Sequence, residues 1–387
     1  MTASKRVQIL LLSLFLLVIF GEGAVQAIVE LGRGERPQAL DLFTRTPNAA
    51  NLRAYETEME KTAWSAKALR PAMQYVRFAG YGDLGEKALL GRDGWLFYRP
   101  DVSFLLEPWP QTVATPVPQD DPLKAIVAFR DALAERGIAL LVVPAPGKPS
   151  VYPDRLSARA ARTHTGAHGH ARAFMDRLEE AGVSCVDLFA LYREARAENA
   201  DAQLYLARDT HWSPVGLRMA ASAVADRIRA EGWIAEGAVA YEEEVVAIQR
   251  EGDVLRMVDA PRIAAEFEPE QVDCQQIIDP ATGEPYRDDP ASPVLVLGDS
   301  FLRIYERDEP GSAGFIAHLA RELKQPVASI VSDGGASTLV RQELQRKPEL
   351  LRGKKLVVWE FVERDLRFGM EGWKLVSLPN TETVAPS

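Results

Sequence analysis

The sequence is short of several things at once, and each shortage closes off a class of protein. Across 387 residues there are only two cysteines, Cys185 and Cys274. They are either one bridge, which an oxidising compartment permits, or two separate buried thiols, and sequence alone cannot supply the Cα separation a bridge needs. Positive charge is in deficit, with 45 Lys and Arg against 55 Asp and Glu and a formal net charge of −10. Without residues 1–27, which carry Lys5, Arg6 and Glu22, the remainder would stand at −11. Nucleic acid is a poor partner for such a chain, because binding it takes clustered Lys and Arg to displace counterions. A local basic groove for another anion is still compatible with a negative total. There is no internal repeat, and the 25 prolines and 27 glycines are dispersed, which excludes collagen-like and linker-type chains. With 47% hydrophobic and 26% charged residues, the chain can bury a sizeable core and is not disordered throughout. Its length suits one large domain or two ordinary ones.

Long apolar runs are scarce too, and the one that exists sits at the N-terminus. Lys5 and Arg6 precede residues 7–20, which are apolar except for Gln8 and Ser13. Charge followed by an apolar stretch is the order of an export signal. Val25 and Ala27 stand where small residues precede a cleavage site. Alternatively the run is kept as an anchor, with Lys5 and Arg6 holding its start in the cytoplasm. Both readings place the rest of the chain outside the cytoplasm. Residues 1–27 are therefore expected to be a signal peptide or membrane anchor, and residues 28–84 a polar, helical segment. Within that segment residues 51–69 read as helix, limited by Pro71.

Beyond it the pattern changes. Gly91-Arg-Asp-Gly-Trp-Leu-Phe-Tyr98, after an apolar piece at residues 88–90, reads as a hairpin turning on Asp-Gly. Residues 108–122 hold five prolines and form a plausible boundary. Strands and helices then alternate. Helices are expected at 122–136, 171–181, 214–231, 313–323 and 337–344, and strands at 138–143, 183–189, 294–297, 327–331 and 355–361. Several of these strands are apolar at successive positions, which is the mark of a mostly parallel sheet covered by helices on both faces. Residues 236–292 are acidic and proline-containing and read as an irregular insertion. Residues 371–387 read as a tail.

Open α/β sheets bind ligands at the carboxyl ends of their strands, and three such ends carry suggestive residues. Leu297-Gly298-Asp299-Ser300-Phe301 leaves an apolar strand through a glycine and presents a serine, which is a nucleophile if a base stands beside it. Taken alone, the same residues suit a helix cap. Arg208-Asp209-Thr210-His211-Trp212-Ser213-Pro214 precedes a helix capped by Ser213 and started by Pro214. An Asp and a His two residues apart can point the same way, so that the carboxylate holds one imidazole nitrogen and the other faces a hydroxyl. A solvated turn explains either residue by itself. Val331-Ser-Asp-Gly-Gly-Ala-Ser337 offers the backbone amides of Gly334 and Gly335 as oxyanion donors, or an ordinary turn needing positive φ.

Together Gly298-Asp299-Ser300 and Asp209-Thr210-His211 resemble the GDS and Asp-x-His elements of the SGNH hydrolases. Their order along this chain is reversed. That order is similar to the circularly permuted SGNH-like domain of the alginate O-acetyltransferase family AlgJ/AlgX. Pro146-Gly-Lys-Pro-Ser-Val-Tyr-Pro153, Trp359-Glu-Phe-Val-Glu-Arg-Asp365 and the segment around Gly91 look like that family as well. The resemblance spans about residues 85–365 and implies one α/β domain at 85–370, with 236–292 inserted.

It also implies chemistry. Ser300 would take an acetyl group, with His211 as base and Asp209 orienting it, and pass the group to a hydroxyl of an exported polysaccharide. No cofactor and no metal are implied. The implied setting is the periplasm, with residues 7–20 in the inner membrane or cleavage near Ala27, and the implied acetyl supplier is a membrane-bound O-acyltransferase. The Gly-x-Asn-Asp block of ordinary SGNH enzymes is missing, which leaves the side-chain member of the oxyanion hole unidentified. Lys148, Tyr152, Trp212 and Arg364 fall near strand ends and are candidates for contact with a sugar chain. An acetylesterase and a non-catalytic polysaccharide-binding module are the alternatives. His164, His168 and His170 lie within seven residues, but no nearby carboxylate or cysteine completes a zinc set, so a solvated loop is expected there.

Overall fold

The computed structural model describes residues 3–44, 46–107, 120–162, 169–369 and 371–379. His164 and His168, and the proline-rich residues 108–119, lie outside the described residues. The chain forms two compact units: Met1–Asp83 with Ala260–Ile263, and Leu84–Asp259 with Ala264–Ser387.

In the first unit, one helix covers Ala3–Gly32, and its Val7–Gly32 portion, of mean hydropathy 2.2, is long and apolar enough to cross a membrane. A second helix, Ala49–Thr62, starts where the Asn48 side chain accepts from the Asn51 amide. A third, Trp64–Tyr81, stops at Gly82, whose φ is +66°. The expected stop at Pro71 is corrected. Pro71 sits inside the third helix, and the break falls at Ala63. A proline forfeits one backbone bond, but Ala68, Leu69, Ala72 and Met73 around it are strong helix formers.

The second unit opens with a hairpin, β1 (Ala88–Leu90) and β2 (Leu96–Tyr98), turning through Asp93 at φ 55° and Gly94. Its core is a five-stranded sheet of β3 (Ala139–Ala145), β4 (Ser184–Cys185), β7 (Val294–Gly298), β8 (Ala328–Val331) and β9 (Leu356–Val362). These lie in the order β4-β3-β9-β7-β8, with every neighbour parallel. Successive residues pack on opposite faces. Leu141, Val143, Val296 and Val358 enter one buried cluster, while Leu140, Val142, Leu297 and Trp359 enter the other. Burial of both faces is why these strands read as unbroken apolar runs. Counted from β7, the strand order is 2-1-3-4-5, that of a doubly wound flavodoxin-like sheet. The chain therefore begins this sheet at what would be its fourth strand, and the circular permutation is visible in the topology.

Three expectations change. The strand expected at 183–189 shrinks to Ser184–Cys185, because the Asp187 carboxylate accepts from the Ala190 amide and starts the helix Leu188–Glu198. The segment 236–292 is not irregular. It carries an antiparallel hairpin, β5 (Glu242–Arg250) with β6 (Glu270–Ile278), that pairs Val246 with Cys274 and Ile248 with Val272. Ile248, Val272 and Cys274 share one face and are buried against the main core, and Glu270 extends that face, its carboxylate accepting from the Ala207 and Arg208 amides. The start of the expected tail is packed, with the Trp373 ring against Trp359 and Phe361 and its Nε1 donating to the Asp365 carbonyl. Cys185 and Cys274 are separate free thiols, and burial pushes each up to about 12.

Candidate active site

The site stands at the carboxyl end of β7, beside β9, where the strand order reverses. Gly298 ends β7, and nothing larger fits there. A Cβ would come within 2.5 Å of Glu360 Oε2 and of Leu302 Cδ1. The next residue settles the question of the cap. Asp299 Oδ1 accepts from the Phe301 amide at 2.8 Å, so Asp299 caps the short helix Ser300–Arg303 and leaves the Ser300 hydroxyl free for other work.

The partner segment is pinned between two backbone contacts. The Ser213 amide donates to the Leu204 carbonyl at 2.9 Å, and Tyr205 bridges to Trp212, so residues 206–211 form a closed turn. Lys148 holds that turn from inside. Its Nζ donates to the carbonyls of Leu206, Ala207 and Asp209 at 3.1, 2.9 and 2.6 Å. Burial brings its pKa down to about 8.

The turn presents His211 with Nε2 2.8 Å from Ser300 Oγ and Nδ1 2.5 Å from Asp209 Oδ1. An ionised carboxylate can only accept, so Nδ1 carries the hydrogen and the lone pair of Nε2 faces the serine hydroxyl, which donates. The Phe301 ring, 4.9 Å from the imidazole between centroids, packs against it. Both His211 and Asp209 are buried.

Two residues that the sequence reading did not single out complete this arrangement. Arg250, at the end of β5, donates from Nε to Asp209 Oδ2 at 2.8 Å. The Asp253 amide donates to the same oxygen at 3.2 Å. The Asp253 carboxylate accepts from the Thr210 amide and hydroxyl, both at 2.6 Å, and lies 3.7 Å from His211 Nδ1. Burial alone would raise the Asp209 pKa, but the imidazole and the guanidinium outweigh it and hold the carboxyl well below its usual range. Burial likewise works against charge on His211, yet the Asp209 carboxylate prevails and raises it. Asp253 is pushed up by burial and by the neighbouring Asp209. Asp209, His211 and Asp253 converge closely enough to suit a metal ion. Their facing atoms are instead taken up by the hydrogen bonds just given, so a cation would have to displace them.

Ser300 opens onto a cleft of about 420 Å³ bordered by Lys87, Tyr98, Arg99, Asp253, Gly334 and Arg364. Of the four residues expected to contact a sugar chain, only Arg364 borders it. Its guanidinium pairs with Asp101 at 2.8 Å and stacks over Tyr98. The other three are corrected. Lys148, Tyr152 and Trp212 are buried and engaged, Tyr152 Oη accepting from the Leu204 amide at 2.7 Å and Trp212 Nε1 donating to the Phe301 carbonyl at 3.1 Å. Gly334, at φ +64°, borders the cleft beside Ser300. Gly335 does not offer a donor, because its amide is spent on the Ser332 carbonyl at 2.9 Å. His170, the one described member of the histidine group, lies edge-on to Phe104.

A serine after the first strand of a doubly wound sheet, faced by an Asp-x-His turn, defines an SGNH-hydrolase-like protein. A family model described as the SGNH hydrolase-like domain of the acetyltransferase AlgX matches residues 88–363, and the chain belongs to that family. It is similar to the "Probable alginate O-acetylase AlgJ" of Pseudomonas putida, 27% identical over 289 residues that cover 72% of this chain and 70% of the relative. The protein of the same name from Azotobacter vinelandii is 25% identical over 304 residues, covering 76% and 73%. Among solved structures, the O-acetyltransferase domain of Pseudomonas putida AlgJ matches with a TM-score of 0.58 at 24% identity, covering 77% of this chain and 95% of that one. Pseudomonas aeruginosa AlgX matches with 0.54 at 19%, covering 71% and 62%. These two likenesses concern the fold.

Proposed function

We propose that this chain is an O-acetyltransferase that carries an acetyl group on Ser300 and passes it to hydroxyls of an exported polysaccharide. One observation carries the reading: the continuous hydrogen-bonded line from Ser300 Oγ through His211 to Asp209, opening on a cleft. Membership of an acetyltransferase family and relatives named as alginate O-acetylases support the acceptor class.

The steps follow from the geometry. As Ser300 Oγ bonds to the carbonyl carbon of the donor ester, its proton passes to His211 Nε2, and Asp209 stabilises the imidazolium that results. The tetrahedral intermediate collapses by breaking the bond to the donor oxygen, which takes the proton from His211 as it leaves. A sugar hydroxyl then gives its proton to His211 and attacks the acetyl-serine, and Ser300 recovers that proton on departure. Gly334 is the backbone position proposed to face the developing oxyanion, and Arg364 and Lys87, which border the cleft, would contact the polymer. Residues 7–32 would hold the chain in the inner membrane with the second unit in the periplasm, and a membrane-bound O-acyltransferase would supply the acetyl group.

Time-resolved mass spectrometry of the full chain, mixed with an activated acetyl ester and an oligosaccharide, tests this. A transient acetyl group on Ser300 that reappears on the sugar is the expected course, and Ser300→Ala should abolish it. Release as free acetate alone would mean an esterase, and no label on Ser300 with any donor a binding module.

A further inference from the structure

The helix Trp64–Tyr81 belongs to the same compact unit as the apolar N-terminal helix and carries an uncovered apolar face. Leu69, Met73 and Val76 recur at helical spacing and are 55, 58 and 59% exposed. Ala72 and Gly80 fall on the same face, so it holds no polar side chain for three turns. Arg70 and Arg77 flank one edge. Arg77 donates to Asp83 at 3.0 Å, whereas Arg70 has no ion-pair partner among the described residues. Tyr75 and Phe78, by contrast, are half-buried on the opposite side.

What covers this face follows from where the helix begins. A bilayer core of about 30 Å accommodates roughly 20 residues at 1.5 Å each. Counted from Val7, that length ends near Gln26. The Trp64 amide donates to Gln26 Oε1 at 2.8 Å, and Gln26 Nε2 donates to Glu30 Oε1 at 2.8 Å. The helix Trp64–Tyr81 thus starts at the level where the first helix leaves the hydrocarbon. It does not run back along that helix, since among the described residues none of the apolar side chains from Val7 to Phe20 is buried. An arginine beside an apolar stripe is a feature of a helix lying in a membrane interface. A second protein fits less well, because a stable interface uses about 20–30 residues a side and this stripe offers only a few.

We propose that the Leu69–Met73–Val76 face lies on the outer surface of the same bilayer that residues 7–32 cross, with Arg70 directed to anionic headgroups. This rests on the reading of residues 7–32 as a membrane span.

The test places a nitroxide on the full chain in vesicles of phosphatidylcholine and phosphatidylglycerol, and compares its collisions with oxygen and with a water-soluble nickel chelate. Labels at Phe15→Cys, Met73→Cys and Asp226→Cys sample the span, the stripe and an exposed helix of the second unit, and unsubstituted chain supplies the background from the native thiols. The proposal expects a several-fold preference for oxygen over nickel at Met73→Cys relative to Asp226→Cys. Nickel-dominated collisions at Met73→Cys, with oxygen-dominated ones at Phe15→Cys, overturn the docking and leave the span intact. Exclusion of both reagents from Met73→Cys means a protein cover and also overturns it. Nickel-dominated collisions at Phe15→Cys remove the span itself, and the docking with it.

Discussion

Arg250 and His211 grip the same carboxylate from opposite sides: Arg250 Nε donates to Asp209 Oδ2 at 2.8 Å while Oδ1 of Asp209 meets His211 Nδ1 at 2.5 Å. Arg250 is held in turn by Asp308 at 3.6 Å and by stacking over Tyr305. The guanidinium therefore fixes the rotamer of Asp209 and, through it, the direction of the imidazole. Its charge also lowers the affinity of His211 for a proton. Arg250→Gln should reduce kcat/KM roughly 10- to 100-fold, the usual loss for a partner that orients a site residue. With the cation gone, His211 holds its proton to higher pH, so the acid limb of the pH profile should move to higher pH. Arg250→Lys should keep the limb in place while losing some rate. A profile for Arg250→Gln that drops in height without moving would show that Arg250 only supports the fold.

Asp209 acts on His211 with the opposite sign. Its carboxylate overcomes burial and raises the imidazole pKa. Asp209→Asn should therefore move the acid limb to lower pH, and it should cost about 10⁴-fold in rate, as in other serine–histidine–aspartate sites where the wrong tautomer then prevails. A pH–rate series on the acetylation step measures both. Retention of rate within about tenfold would remove Asp209 from the line, since general-base assistance alone contributes about 10²–10⁴-fold.

Lys148 is expected to matter for stability and not for polymer affinity. Its ammonium is fully buried, shares the Ala207 carbonyl with the Leu96 amide, and is the only donor described for the carbonyls of Leu206 and Asp209 in the His211 turn. Lys148→Met would leave those two acceptors unsatisfied, at about 1–3 kcal/mol each before relaxation. A loss of about 2 kcal/mol or more is expected in chemical denaturation. Unchanged stability together with weakened oligosaccharide binding would return Lys148 to the role of ligand contact.

Behind the cleft lies a buried carboxyl, Glu363, that accepts from the Gly147 amide at 2.7 Å and from the Ser150 hydroxyl. Burial pushes it from the ordinary 4.5 up to about 8. The folded state thus binds this proton more tightly than the unfolded state does. The stabilisation is complete below about pH 4.5 and is lost as pH rises through about 8. Glu306, also raised to about 8, and Asp365, raised to about 7, act in the same direction. Glu363→Gln has no proton to release, so its Tm should decline less steeply than that of the natural chain over this range. Parallel Tm curves for the two proteins would show that Glu363 is ionised in the fold.

The sheet was legible because its strands are covered on both sides, and burial on both faces writes itself into consecutive apolar residues such as those of 139–143 and 356–359. Gly298-Asp299-Ser300 and Asp209-Thr210-His211 were legible because each acts within a few residues of chain: the glycine exit, the Asp299 cap, the Ser213–Pro214 helix start. The hairpin at 242–278 was not. Five of the eighteen residues in its two strands are acidic and only four of its apolar side chains are buried, so its alternation looks like an irregular acidic loop. Arg250 and Asp253 come from that hairpin, 41 and 44 residues beyond Asp209, so no local pattern joins them to the turn they support. Lys148, Tyr152 and Trp212 show the same boundary from the other side. Sequence places a cation and two aromatics at strand ends, but it does not say which side of the chain faces the cleft. By itself the sequence determined the buried strands of the main sheet, the permuted order of the two motifs and the apolar N-terminal run, because these depend on neighbours along the chain. Only the tertiary structure decided the 2.8 Å approach of His211 to Ser300, the clamp on Asp209 and the burial of Lys148, because each joins residues whose distance is set by packing.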